Sequence, residues 1–512
     1  MKRTGLVVLA ALAACGGPSA NLVVSSRDLG GAGGAPSVKR VVDLGDLSSI
    51  PAVGQRLSRA RSDGEITVGE MVLVEGEDFG KLPAVNIGGR PTEPLARMGS
   101  GAILVRVPPS VPAGDVDVEV SHTRGRGARK VKIIRYGFAV SPGAGAVDVL
   151  RFDGAGAPVV RGRIALAGAR DVAVSSDGAA AYVAVAAGDG QPAAGLGIIS
   201  IAAKGGPELT RTLPLSGEDA TRVVTAAEAP DGAVLVGSRL FLFHAGNATA
   251  PTVESPITLD ELGRIASLVM SPQGQTVAVL DGEQNQVVPI AVPARGAPKV
   301  GAPVDTMTDV WVPMVQDLGY APGGEELWIA AGDNAKALVA GNHPAQLVQL
   351  SATGAAFAPE RVVEMSDVDA PVAVAIARRE SVGSATAIRS RARRAAIVVA
   401  SESRALVAGK TLSAALVAPG GSAQLVSTDL DGRTEPLWRG EALMAAVVLT
   451  QDVRAAMALV LQVVRSGDAV TLKRALVWAP LDGSKAQVVP LGGDAAAVDD
   501  SARGRGGLAL QP

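Results

Sequence analysis

The sequence predicts an all-β protein, an N-terminal antiparallel β-sandwich followed by a β-propeller of seven blades. Three observations carry that expectation. Apolar residues alternate with polar ones at a period of two, as in Val116, Val118 and Val120 interleaved with Asp117 and Glu119, the pattern of strands buried on one face. Gly and Pro recur as punctuation, with 62 and 32 copies among 512 residues, which suits many short strands joined by tight turns. Beyond about residue 136, one strand-turn-strand unit repeats at intervals of about 40–55 residues, the period of a blade that buries its faces only inside a closed ring.

The N-terminus is read first as an address. Lys2 and Arg3 precede an apolar run from Leu6 to Ala14, and small residues lead into Cys15, the only cysteine of the chain. That order describes a secretion signal. A bilayer span needs roughly 20 apolar residues, and this run ends at Cys15-Gly16-Gly17-Pro18. The later apolar stretch from Ala442 to Val464 is interrupted by Gln451, Asp452 and Arg454, so it reads as two strands around a turn. Leu12-Ala13-Ala14-Cys15 resembles the lipobox of bacterial lipoproteins. The resemblance implies cleavage before Cys15, acylation of its sulfur and amine, and anchoring in the cell envelope. Gly16 after the cysteine implies sorting to the outer membrane. Each buried methylene contributes about 0.8 kcal/mol, so two or three acyl chains anchor stably where one does not. Residues 15–34, rich in Gly, are then a tether whose ends lie about 25 Å apart.

The sandwich is expected over residues 35–135, with a soft inserted loop at 43–64. Its strands are Met71-Val72-Leu73-Val74, Ala84-Val85-Asn86-Ile87, Ala102 to Val107 and Val116 to Val120, with Pro36-Ser37-Val38 as the opening one. The Gly76-to-Gly80 turn holding Phe79, the Val85-to-Gly89 element, the strand ending in Val107-Pro108 and the alternating valines resemble the IPT/TIG immunoglobulin-like domain. Phe79 is expected to plug the core beneath its turn.

Residues 136–512 hold the repeats. Asp171 to Val185 turns at Asp177-Gly178; the unit recurs at Val223 to Val236, Ser267 to Leu280 and Asp317 to Ala330. Later copies are degenerate: Val372 to Ala377 with Ala395 to Ala400, then Met444 to Val464. Ala495 to Leu510 is expected to supply the inner pair of the last blade, with Val147 to Phe152 and Val159 to Leu166 as its outer strands. These copies resemble YVTN-type bacterial propeller repeats.

Charge and composition exclude some functions. Lys plus Arg number 48 against 50 Asp plus Glu, so no global field attracts nucleic acid, and 3% aromatic residues make a poor stacking platform for bases. His122, His244 and His343 stand far apart, without the spacing of a zinc site. Asp429-Leu430-Asp431-Gly432 opens like a calcium loop, but Arg433-Thr434-Glu435 does not continue the ligands. Gly409-Lys410-Thr411 ends like a P-loop, but Arg404 takes the place of its first glycine. No Gly-x-Ser-x-Gly elbow occurs, and no catalytic residue, metal or cofactor is expected.

Two basic clusters are candidate contacts for anions: Arg124, Arg126, Arg129, Lys130 and Lys132, then Arg389, Arg391, Arg393 and Arg394. The longest insertions, Asp333 to His343 (with Asn334) and Arg378 to Arg394, are the candidate binding loops. The function expected is that of a lipid-anchored extracytoplasmic binding or scaffolding protein whose propeller face engages a protein or an envelope polymer. A channel hydrolase or lactonase is the alternative, with blade-start carboxylates such as Asp171 and Asp317 converging on the centre.

Overall fold

The computed structural model describes residues 34–44, 65–154, 156–188, 193–201, 205–217, 219–246, 249–263, 265–306, 315–331, 345–365, 370–378, 395–403, 422–428, 434–450, 454–466, 469–494 and 507–511. These residues form strands and one short 3-10 turn. None of their helices is long and apolar enough to cross a membrane.

Two sheets face each other near the N-terminus. Ser37–Asp43, Met71–Glu77, Ala102–Arg106 and Pro94–Met98 form one; Arg90–Thr92, Ala84–Ile87, Gly114–His122 and the start of Gly125–Ser141 form the other. Alternation decides which side chains meet between them. Val72, Val74, Ile103 and Val105 face Val85, Ile87, Val118, Val120 and Ile133, all buried in one cluster. Phe79 is fully buried there, as its turn requires: its ring lies where a Cβ on Gly76 would stand, so the glycine is needed for close approach.

Seven four-stranded sheets follow in a ring, which makes the larger unit a seven-bladed β-propeller. The innermost strands of the first six blades are Ala169–Val174, Ala220–Thr225, Ile265–Met270, Val315–Tyr320, Ala370–Arg378 and Ala442–Leu449. Each packs beside the next, and Leu508–Leu510 closes the circle between the sixth and the first. In the second and third blades the outermost strand is split into two short pieces, such as Thr252–Val253 and Ile257–Thr258. The apolar clusters lie between neighbouring blades. Tyr182 and Phe243, for example, meet edge to face at 4.9 Å across the first and second.

The seventh blade departs from the expectation. Its inner strand alone comes from the C-terminus; the second is the end of Gly125–Ser141, and Ala146–Phe152 and Val159–Ala165 complete it. Residues 495–506, expected to supply an inner strand, lie outside the described residues. The cause is legible in Tyr136, Phe138 and Val140, which alternate and are buried: this segment is a strand with two partners and leaves no room for a second C-terminal one. An ion pair reinforces the closure. Arg474 of the sixth blade donates to Asp148 Oδ2 at 2.5 Å and to Val140 O at 2.6 Å, while Arg163 donates to Asp148 Oδ1 at 2.8 Å.

Gly125–Ser141 is therefore shared by both units. It pairs with Gly114–His122 up to Ile133 and with Ala146–Phe152 from Arg135 onward. Gln511 pins the junction: its Oε1 accepts the Tyr136 N–H at 2.7 Å, and its Nε2 donates to Gly178 O at 2.7 Å and Val68 O at 3.3 Å. Glu65 adds an ion pair to Arg151 and one to Arg161, and accepts the Tyr136 hydroxyl. A boundary at residue 135 thus falls inside a continuous strand.

Removing Arg474 leaves Asp148, 1% exposed, without its shortest charge partner. Arg474→Ala should therefore lose on the order of 3 kcal/mol in urea denaturation; a loss below about 0.5 kcal/mol, the scale of an exposed pair, would show that the closure does not depend on it.

Candidate functional site

Each of the six inner strands carries a β-bulge at the same place, between Ala169 and Asp171, Ala220 and Arg222, Ile265 and Ser267, Val315 and Asp317, Pro371 and Ala373, and Met444 and Ala446. A bulge re-aims the side chain that follows it. Here that residue turns along the ring toward the next blade. Asp171 Oδ2 accepts the Val223 N–H of the second blade at 3.1 Å. Ser267 of the third donates to Asp317 Oδ1 of the fourth at 2.6 Å, and Asp317 Oδ2 accepts the Val374 N–H of the fifth at 3.0 Å. Gly507 holds the matching place in the closing strand, where a Cβ would collide with Asp171 Oδ1. Asp171, Arg222, Ser267, Asp317, Ala373, Ala446 and Gly507 thus form a belt around the channel, polar over four blades and small over three.

Burial pushes the Asp171 and Asp317 carboxyls above the usual carboxylate range, and the Arg222 charge works against that rise at both. The charge of Asp317 in turn raises Asp171. Arg222, half-buried, follows the bulge of the second blade's inner strand, the place that Asp171 and Asp317 hold in the first and fourth. Arg222 makes no hydrogen bond or ion pair to another described residue. The sequence reading found Asp171 and Asp317 but began the second copy at Val223, one residue past Arg222. The signal was available: each of the first four copies opens with a polar residue directly before an apolar run.

The other candidates are dispersed. Arg126 pairs with Glu119 at 3.6 Å, Lys130 with Asp117 at 3.5 Å and Lys132 with Asp153 at 3.2 Å, so those three sit in a mixed-charge hairpin. Arg124 and Arg129 are exposed at the same hairpin, and Arg124 N–H donates to His122 Nδ1. His122 bonds Asp78 O at 2.8 Å, and His244 pairs with Asp231 at 2.7 Å. Among the described residues no three His, Cys, Asp or Glu come together as a metal site. Cys15, Asp333, Asn334, His343, Arg389, Arg391, Arg393, Arg394, the Asp429–Gly432 turn and the Gly409–Thr411 segment lie outside the described residues.

Strand order still says where the two candidate loops attach. The chain leaves Ala331 and returns at Ala345 between the second and third strands of its blade, on the face where inner strands begin. It leaves Arg378 and returns at Ala395 between the first and second strands, on the opposite face. Their attachment points lie on opposite faces of the ring. The belt lies near the first of these faces, hereafter the entry face, whereas Val68 and Gln511 hold the sandwich against the Gly178 turn at the other, the exit face.

No protein-family model matches the chain, and no curated protein sequence does. Similar solved structures include a protein of unknown function from Desulfotomaculum acetoxidans (12% identity, 73% of this chain and 98% of that one, TM-score 0.46). The periplasmic gluconolactonase of Pseudomonas aeruginosa is similar at 12% identity, 71% and 98% coverage and a TM-score of 0.43. An auxiliary nutrient binding protein from Bacteroides thetaiotaomicron is similar at 10% identity, 83% and 95% coverage and 0.35.

A buried carboxyl whose proton is held more tightly in the folded chain stabilises the fold most below its unfolded value, 3.8, and loses that contribution as pH rises through the folded value. Asp171→Asn keeps an acceptor for Val223 without titrating. The melting temperature of Asp171→Asn minus that of the wild type should therefore increase between pH 4 and 7; a flat difference would contradict the burial of an ionisable group there.

Proposed function

We propose that the protein is a lipid-anchored binding or scaffolding protein of the bacterial cell envelope, held at the outer membrane through Cys15, whose propeller engages a protein or polymer with its entry face. The reading takes the two-sheet unit as an IPT/TIG-type spacer and the ring as one of YVTN type. The observation that carries it is the course of Gly125–Ser141. Gly125, at the strand's sandwich end, lies against Ala35, where the described chain begins. The opposite end enters the seventh blade from the exit face. At about 3.3 Å per residue, the strand places the tether root roughly 50 Å from the level of the belt. An anchor at that root leaves the entry face as the one turned away from the membrane, and the rigid shared strand keeps it so. Scaffolds of this kind put recognition on loops held by a fixed frame.

A second reading, a channel hydrolase, has one observation in its favour: Asp171 and Asp317 hold matching places after the bulges of two inner strands. Both carboxylates are already committed to backbone N–H groups of the next blade, which favours a holding role. Lactone hydrolysis lost in both Asp171→Asn and Asp317→Asn would reverse that preference.

Two measurements test the proposal. Cys15→Ser should move the protein from the membrane fraction to the soluble one; retention in the membrane would remove the lipid anchor. A photo-crosslinker at Ser238, on an entry-face turn, should capture a defined partner in intact cells, whereas one at Gly323, on an exit-face turn, should not. Capture from Gly323 alone would assign the wrong face.

A further inference from the structure

The end of the sandwich where Gly125–Ser141 begins carries an apolar tip. Leu82 is 90% exposed, more than any other large apolar side chain among the described residues. Apolar residues exposed singly are common, so what matters here is how Leu82 is held and where. Phe79 and Pro83, on either side of its loop, are buried. The Arg97 guanidinium donates to Gly80 O and Lys81 O. The backbone is thus fixed on both sides of the tip, which keeps the leucine turned outward. A Cβ on Gly80 would stand 3.1 Å from the His122 ring, and His122 pairs with Gly125, beside which Ala35 lies. The tip therefore sits at the tether root. Two ion pairs nearby cancel their own charge, Lys39 with Glu77 and Arg126 with Glu119. Lys81 and Arg124 are exposed there as well, and neither joins an ion pair among the described residues. Asp78 is the one carboxylate of the loop, and its Oδ2 turns toward Gly34.

We propose that loop 80–82, together with Arg124, is a second membrane contact: Leu82 enters the boundary between headgroups and acyl chains of an anionic bilayer, and Lys81 and Arg124 meet its phosphates. Apolar area buried in that layer and basic charge facing anionic lipid both favour binding. Long basic side chains lay their stems on apolar surface and keep their charged ends among the headgroups. The inference deepens the reading of an envelope protein anchored through Cys15 and rests on it. An acyl anchor limits how far the body can travel but does not set its tilt. A contact at the tether root stands Gly125–Ser141 on the membrane with the entry face outward. One leucine and two cations bind a bilayer weakly by themselves; an anchor beside them presents the surface at high effective concentration.

Cys15 is the only cysteine, so in a Cys15→Ser background one introduced cysteine takes a single label. A histidine tag in the anchor's place holds the full chain on vesicles that carry a nickel-chelating lipid, whatever becomes of Cys15 in cells. A nitrobenzoxadiazole fluorophore on Leu82→Cys should brighten severalfold and shift to the blue on vesicles of phosphatidylglycerol and phosphatidylethanolamine. The same label on Val300→Cys, 50% exposed on an outer strand of the ring, should not change. Both positions are exposed, so neither substitution endangers the fold. On phosphatidylcholine vesicles, or with Lys81→Gln and Arg124→Gln combined, the brightening should fall by about half or more. No change at Leu82, or an equal change at Val300, would overturn the proposal. An equal signal on both kinds of vesicle would overturn the anionic surface as the partner. Failure here would leave the fractionation of Cys15→Ser untouched, so the contact and the anchor fail separately.

Discussion

The structure depends on how its ring is closed. Six blades are built from consecutive chain and bury apolar surface against their neighbours, but a ring of sheets with one gap keeps two free faces and free edges open to aggregation. The seventh blade fills the gap with strands from both ends of the chain. Leu508–Leu510 pairs with Gly137–Ala139, so three C-terminal residues fix the register of a circle more than 370 residues around. So small a ladder would fray alone. Arg474 reaches across from the sixth blade to Asp148 and Val140, and Gln511 ties the last turn to Tyr136, Gly178 and Val68. Polar bonds with little water around them give the closure its geometry; apolar burial on either side gives it its strength.

The same strand that closes the ring also joins the two units. A flexible linker would let the sandwich and propeller turn independently. Gly125–Ser141 instead passes its hydrogen bonding from one sheet to the next within two residues, between Ile133 and Arg135. The faces of the ring then become inequivalent. One carries the sandwich, with Ala35 against Gly125 at its far end; the other carries the mouth of the channel and the belt. The belt is unequal as well, since four polar positions face three small ones. Function on a propeller resides in such local differences and not in the fold.

Much of this architecture was legible before any coordinates. Period-two alternation located the sandwich strands, and the repeat spacing located the blades, because both signals come from burial of alternate side chains in short segments. Phe79 and its glycines marked a turn over a core for the same reason. The seventh blade was harder, since pairing between residues far apart in sequence leaves no local trace of the partner: alternation in Tyr136, Phe138 and Val140 marks a strand but not that Leu508–Leu510 lies beside it. The belt was half legible. Asp171 and Asp317 stood out as charges before apolar runs, but Arg222 was lost by a one-residue offset, and only the bulge register aligns it with the others. The topology also puts the attachment points of the two candidate loops on opposite faces, because they are set by which strands each loop joins and not by its charge.

Native-state hydrogen exchange along Gly125–Ser141 tests the central claim, that one uninterrupted strand makes the sandwich and the closed ring a single body. Amides from Val131 to Phe138 should exchange as slowly as those of the first blade's inner strand, with no break at Ile134 to Tyr136. A sharp drop in protection at those residues, with slow exchange preserved on both sides, would mean two bodies joined by a hinge and would contradict the account.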